Sequence, residues 1–183
     1  MPVRVLTNQI ISGLESSIGR DGQNYNSTTP VTANISIAKS LTEYITANTS
    51  ILLTYMGVLP NGSPDPIVSG INRLTGAIPP ISGRDWNSWV DELETNITTS
   101  LLIAPSIISP VSPTFGLIKG LVLPQEGIKS THENNLQDPQ VAVWGFISQG
   151  IFTWINSNPG VVTFPATTGA SVGVATITKI IIT

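Results

Sequence analysis

Hydrophobic residues recur along this chain at two spacings, and the change from one to the other divides it into regions. Val3, Leu6, Ile10, Leu14 and Ile18 stand three and four residues apart, which puts them on one face of an α-helix. The spacing predicts a helix over residues 5–18, stopped by Gly19, a residue that accepts the left-handed conformation on which helices often end. A second stripe, Ile37, Leu41, Tyr44, Ile45, Leu52 and Tyr55, predicts a helix that starts near Asn34 or Ser36 and finishes at Gly57 and Pro60. A third, Trp86, Trp89, Val90, Leu93, Ile97 and Leu101, follows Ser82 and Asp85, spaced as in a capping box, and is stopped by Pro105. A fourth opens at Asp138 and Pro139, a cap and a first-turn proline. It carries Val141, Val143, Trp144, Phe146, Ile147, Ile151, Phe152, Trp154 and Ile155 on nearly every face, as a helix buried on all sides does.

Between and after these stripes the pattern differs. Residues 20–32 have turn chemistry and no hydrophobic period, and read as an arm or loop. Residues 61–66 form a turn by composition, and 67–78, broken by Gly70 and Gly76, read as a short strand or irregular crossing. Residues 106–124 hold Pro110, Pro113, Gly116 and Gly120 among aliphatic residues, the pattern of extended connections buried against something. Near the C-terminus, 161–164 and 171–183 are rich in β-branched residues and flank a turn at 165–169, which predicts a closing hairpin or an edge strand open to a partner. The expected fold class is α+β: about four helices with short strands, a C-terminal β-hairpin or edge strand, and extended proline-rich connections. A single domain over 1–183 is expected, with an extended arm at 20–33 and a terminal strand region at 161–183. A weak repeat of about fifty residues is also visible, a helix then Ser63-Pro64 in one copy and Ser112-Pro113 in the other, each leading into an apolar, glycine-containing stretch.

Composition changes this picture in one respect. Only 10% of the 183 residues are charged, against roughly 25% in an ordinary domain. Hydroxyl, amide and aliphatic groups must therefore make up much of the surface, and such a surface suits burial against other subunits. Eight basic and eleven acidic residues give a net charge of −3 with no Lys/Arg run, so direct nucleic-acid binding is not expected. The apolar stretches 51–60 and 141–155 are too short for a membrane span, and residues 1–6 lack the apolar core of a secretory signal. With no cysteine, a disulfide framework and thiolate metal sites are excluded.

Candidate chemistry is sparse. Gly169, Ser171 and Gly173 match the G-x-S-x-G spacing of a nucleophile elbow, but that device needs a strand before it, a helix after it and a later histidine. Here a strand follows and the single histidine, His132, lies upstream, so a glycine-rich turn is the better reading. His132 itself, beside Glu133 in a hydrophilic stretch, reads as an exposed loop residue. Asp91, Glu92 and Glu94 could bring two carboxylates together for a metal, but a solvated helix face explains them more simply. Nothing pairs Glu126 with Asp138 across a glycosidase cleft. Trp86, Trp89, Trp144 and Trp154 could stack on sugars, yet their helical spacing marks them first as core or interface residues. Asn-x-Ser/Thr triplets begin at Asn26, Asn34, Asn48, Asn61 and Asn96, as chance provides in so Asn/Ser/Thr-rich a chain. No catalytic, cofactor or metal site, no small-molecule substrate and no enzymatic activity are expected.

The composition as a whole resembles that of virion structural proteins of tailed bacteriophages. That resemblance implies a multi-copy protein of a tail, neck or baseplate, or of a capsid as cement, that binds copies of itself and other virion proteins. It would reside in the virion after assembly in the host cytoplasm. The positions matching such bridging arms and strands would be 20–32, 106–124 and 171–183. A small virion-associated hydrolase built on Ser171, Glu126, Glu133 and Asp138, and a carbohydrate-binding attachment module, are the alternatives.

Overall fold

The computed structural model describes residues 2–19, 29–83, 85–104, 109–110, 121–135, 137–156 and 162–183. Of the expected extended segments 20–33 and 106–124, residues 20–28, 106–108 and 111–120 lie outside them. The element order is α1 (Pro2–Ile18), α2 (Thr29–Asn48), β1 (Thr49–Val58), β2 (Pro64–Gly76), α3 (Trp86–Ser100), β3 (Leu101–Ala104), β4 (Ser109–Pro110), α4 (Gln125–Asn134), α5 (Pro139–Asn156), β5 (Val162–Thr168) and β6 (Ser171–Ile182). The strands form one antiparallel sheet in the order β3-β2-β1-β6-β5-β4. The α+β class is as expected, with five helices among the described residues where the stripes showed four.

Helix α1 ends where its spacing said it would: Gly19 has φ 80°, and its amide bonds back to Glu15 O at 3.1 Å. Helix α5 is capped by Asp138, whose Oδ1 accepts from the Val141 amide at 3.2 Å, and its Val143, Trp144, Ile147, Ile151, Phe152, Trp154 and Ile155 are buried. It packs on α1, α4 and β6, and α2 packs on α1 and β2. One core joins these helices to the inner side of the sheet, where Ile51, Leu53, Tyr55, Phe164, Ala175, Ile177, Ile180 and Ile182 are buried.

Three expectations need correction, and one choice between alternatives is resolved. The second stripe is not one helix: α2 begins at Thr29, so 29–33 are helical rather than part of an arm, and it ends at Asn48. From Thr49 the chain is a strand whose residues alternate buried and exposed, because β2 and β6 hydrogen-bond to it from both sides. The stretch after the 59–63 turn is a 13-residue strand, β2. Its prolines, Pro64 and Pro66, lie opposite Val58 and Met56 of β1 and beyond the part paired with β3. The cap of α3 is Asp85, which accepts from Ser88 N at 3.0 Å, and Ser82 turns instead to Glu92. Finally, β6 is no edge strand. It forms the hairpin with β5 and pairs with β1 on its other side, so its backbone is already satisfied.

Strand β6 also contains a bulge that alternation alone conceals. Leu52 faces Lys179 and Leu53 faces Ile177, leaving Thr178 as the extra residue. Without it, the alternation that buries Ala175 and Ile177 would carry Lys179 inward. With it, Lys179 is exposed and Ile180 and Ile182 are buried, the re-aiming a bulge produces.

Candidate functional site

Among the described residues, the helices lie on one face of the sheet and leave the other open. On that outer face cross-strand pairing aligns Pro66, Met56, Val174 and Pro165 in a row across β2, β1, β6 and β5. The next row is Pro64, Val58, Val172 and Thr167. Met56 is 65% exposed, Val58 52%, Val172 66% and Val174 45%. On the other side of the Met56 row lie Thr54, Thr176 and Thr163, and further along Leu52 pairs with Lys179. Lys179 and Arg73 are the charged side chains found among the described residues of this face, and both stand at the end away from Met56 and Val58. An exposed β-branched or methionine side chain alone is ordinary; here four of them are contiguous.

The residues singled out by motif land elsewhere. Ser171 is fully buried, and its Oγ lies 3.0 Å from the Tyr55 hydroxyl. The ring of Tyr55 runs over Gly57, where a Cβ would collide with both it and Ser171. Ser171 follows a strand and a two-residue turn containing Gly169 (φ 55°) and opens a strand, so it lacks both the context and the access of a nucleophile. His132 is not in a loop but in the last turn of α4. That helix escapes periodicity analysis because only Ile128 of its ten residues is buried.

The acidic residues of α3 do not form a merely solvated face. Glu92 accepts from the Ser82 amide and hydroxyl (both 2.9 Å) and the Gly83 amide (2.7 Å). Its slight burial works to raise its pKa, but these donors outweigh that and hold the carboxyl below its usual range. Glu94 accepts from the Leu123 amide. Burial nevertheless pushes its carboxyl up, and Asp91 adds to the shift. Asp91 in turn takes Gln125 Nε2 at 2.5 Å. Three carboxylates thus fasten α3 to the chain segments on either side of it. Among the described residues no three His, Asp or Glu side chains come together as metal ligands would.

A cleft of about 640 Å³ opens between helices, lined by Leu14, Ile37, Trp89, Val143 and Trp144, with His132 and Asp138 on its wall. Trp89 and Trp144 meet edge to face at 5.7 Å and 69°. The Trp89 indole donates to Asn34 Oδ1 (3.3 Å), and Asn34 Nδ2 donates to Ile81 O (2.8 Å). Trp144 and Trp154 are buried, and the side chain of Trp86 lies outside the described residues. Trp89, Trp144 and Trp154 therefore pack in or against the core rather than form a flat stacking platform. Of the triplet asparagines, Asn34, Asn48, Asn61 and Asn96 are all engaged in hydrogen bonds within the fold, while Asn26 is outside the described residues.

No family model, no curated protein and no solved structure matches the chain. No helix among its described residues is long and apolar enough to cross a membrane. What the described residues define is an α+β arrangement with helices on one side of an antiparallel sheet and an exposed, largely uncharged surface on the other.

Proposed function

We propose that this chain is a structural assembly protein that docks onto neighbouring subunits through the outer face of its sheet. The exposed rows of Met56, Val58, Val172 and Val174 carry this reading. Covering them yields roughly 25 cal/mol per Å² of apolar area without pairing charges, and a chain poor in charge has few other means of recognition. The compositional resemblance supports placing it in the virion of a tailed phage. There a tail, neck or baseplate role suits helices joined by proline-rich connections better than that of a compact capsid cement protein.

The test uses the native extract of the producing cells. Wild-type chain should migrate with particle-sized material on gel filtration, and fractionating heads from tails should place it with the tails. A Val174→Asp variant that retains its circular dichroism should shift to the low-mass fractions. Wild-type chain confined to low mass, or a variant still entering particles, refutes the reading.

A further inference from the structure

Resting on that reading, we infer that the occupant of the exposed sheet face is a second copy of this chain, packed back to back about a two-fold axis that runs across the strands along the Pro66–Met56–Val174–Pro165 row. Three observations lead there.

The first is charge. In a two-fold interface each patch meets itself, so a charged patch opposes its own sign, whereas the Met56 and Val58 rows carry no charge. The second is polarity along the strands. Arg73 and Lys179 occupy one end of the face. An axis along the strands would set the basic end of one copy over the basic end of the other. An axis across the strands reverses strand direction, so the two basic ends point apart. Met56 then lies over Met56 of the second copy and Val174 over its own mate, while Val58 and Val172 meet the methyl groups of Thr54 and Thr176.

The third is area. Four strands about 4.8 Å apart, over the three superposed rows about 6.7 Å apart, give roughly 390 Å² per copy and about 770 Å² in all. That is below the usual range of specific interfaces, so the isolated dimer should be weak and concentration-dependent. Repetition within an assembly would strengthen it by holding partners at high effective concentration.

The absence of cysteine makes the test clean. Met56→Cys, treated with a short bis-maleimide that spans the roughly 10 Å between packed sheets, should yield a covalent dimer. Val5→Cys, exposed on α1, should not. Sedimentation of the uncross-linked protein should show its mass doubling as concentration rises from about 10 μM to about 1 mM, as a low-area interface requires. Raising NaCl should leave that curve in place, because apolar contacts are not screened. Val174→Asp sets a carboxylate against its own copy and should weaken the dimer at least tenfold. Met56→Lys repeats the experiment if the first variant melts early.

A protein that stays monomeric at the highest concentration, or that cross-links equally from Val5→Cys, overturns the inference. If such a monomer still enters particles in a Val174-dependent way, the assembly reading stands and the occupant is a different protein. If Val174→Asp leaves particle entry unchanged, the assembly reading itself falls.

Discussion

Tyr55 and Ser171 allow the sharpest test of how the sheet is held together. Both are completely buried, and their hydroxyls lie 3.0 Å apart, joining β1 to the start of β6 diagonally across Gly57. Tyr55→Phe removes one hydroxyl and leaves the other buried without that partner, at a cost of about 1–2 kcal/mol. Ser171→Ala should cost a similar amount by orphaning the tyrosine hydroxyl. Removing both eliminates the unpaired group, so the double variant should be no less stable than the worse single one, a coupling of about 1 kcal/mol. Urea unfolding of the four proteins measures this directly. For a domain of this size each kcal/mol should also appear as roughly 2–4 °C in Tm. If the two losses simply add, the hydroxyls do not interact and the account of Ser171 as a structural residue fails. An esterase activity lost in Ser171→Ala without loss of stability would refute it from the other side.

Three further predictions concern polar groups in the fold. Glu94 has a raised pKa, so the folded state favours its protonated form and stability declines as pH rises through that pKa. Glu94→Gln keeps an acceptor for the Leu123 amide and should melt higher than wild type at pH 7 but not at pH 4. Glu92 is the opposite case. Its lowered pKa contributes stability above the ordinary value of 4.5 that is lost at lower pH, so Glu92→Gln should melt lower than wild type at pH 7 and converge with it near pH 3. Being only slightly buried, it should cost less than about 1 kcal/mol. Thr49 Oγ1 is buried with no hydrogen-bond partner among the described residues. Thr49→Val should therefore stabilise the protein by about 1 kcal/mol in urea unfolding, since it replaces an unsatisfied hydroxyl with a methyl of the same shape; a loss of stability would show that the hydroxyl has a partner.

Much of this fold is legible in the chain itself wherever local chemistry and burial agree. The stripe of α1 stops at a glycine that can take positive φ, α5 starts at an Asp-Pro pair and is apolar nearly all round, and the β-branched C-terminal residues form the hairpin their period predicts. The uncharged composition likewise anticipated a surface short of ions, though not where its bare part would lie. Other features depend on partners distant in sequence. Leu52 and Tyr55 continue the helical spacing of Ile37 to Ile45, and only the ladders to β2 and β6 make them part of a strand. Helix α4 buries a single side chain, too little to leave a period. The carboxylates of α3 resemble a solvated face until the amides of Ser82, Gly83 and Leu123 are brought to them.

The amino-acid sequence by itself determined which segments are apolar, where local stop and start residues end helices, and that few charges would be available. Tertiary structure alone decided which β1 side chains face inward, how a bulge at Thr178 keeps Lys179 out of the core, and that Met56, Val58, Val172 and Val174 form one surface. The physical reason is that hydrogen-bond ladders and packed faces join residues more than a hundred positions apart, and no local spacing records which of two alternating faces the helices will cover.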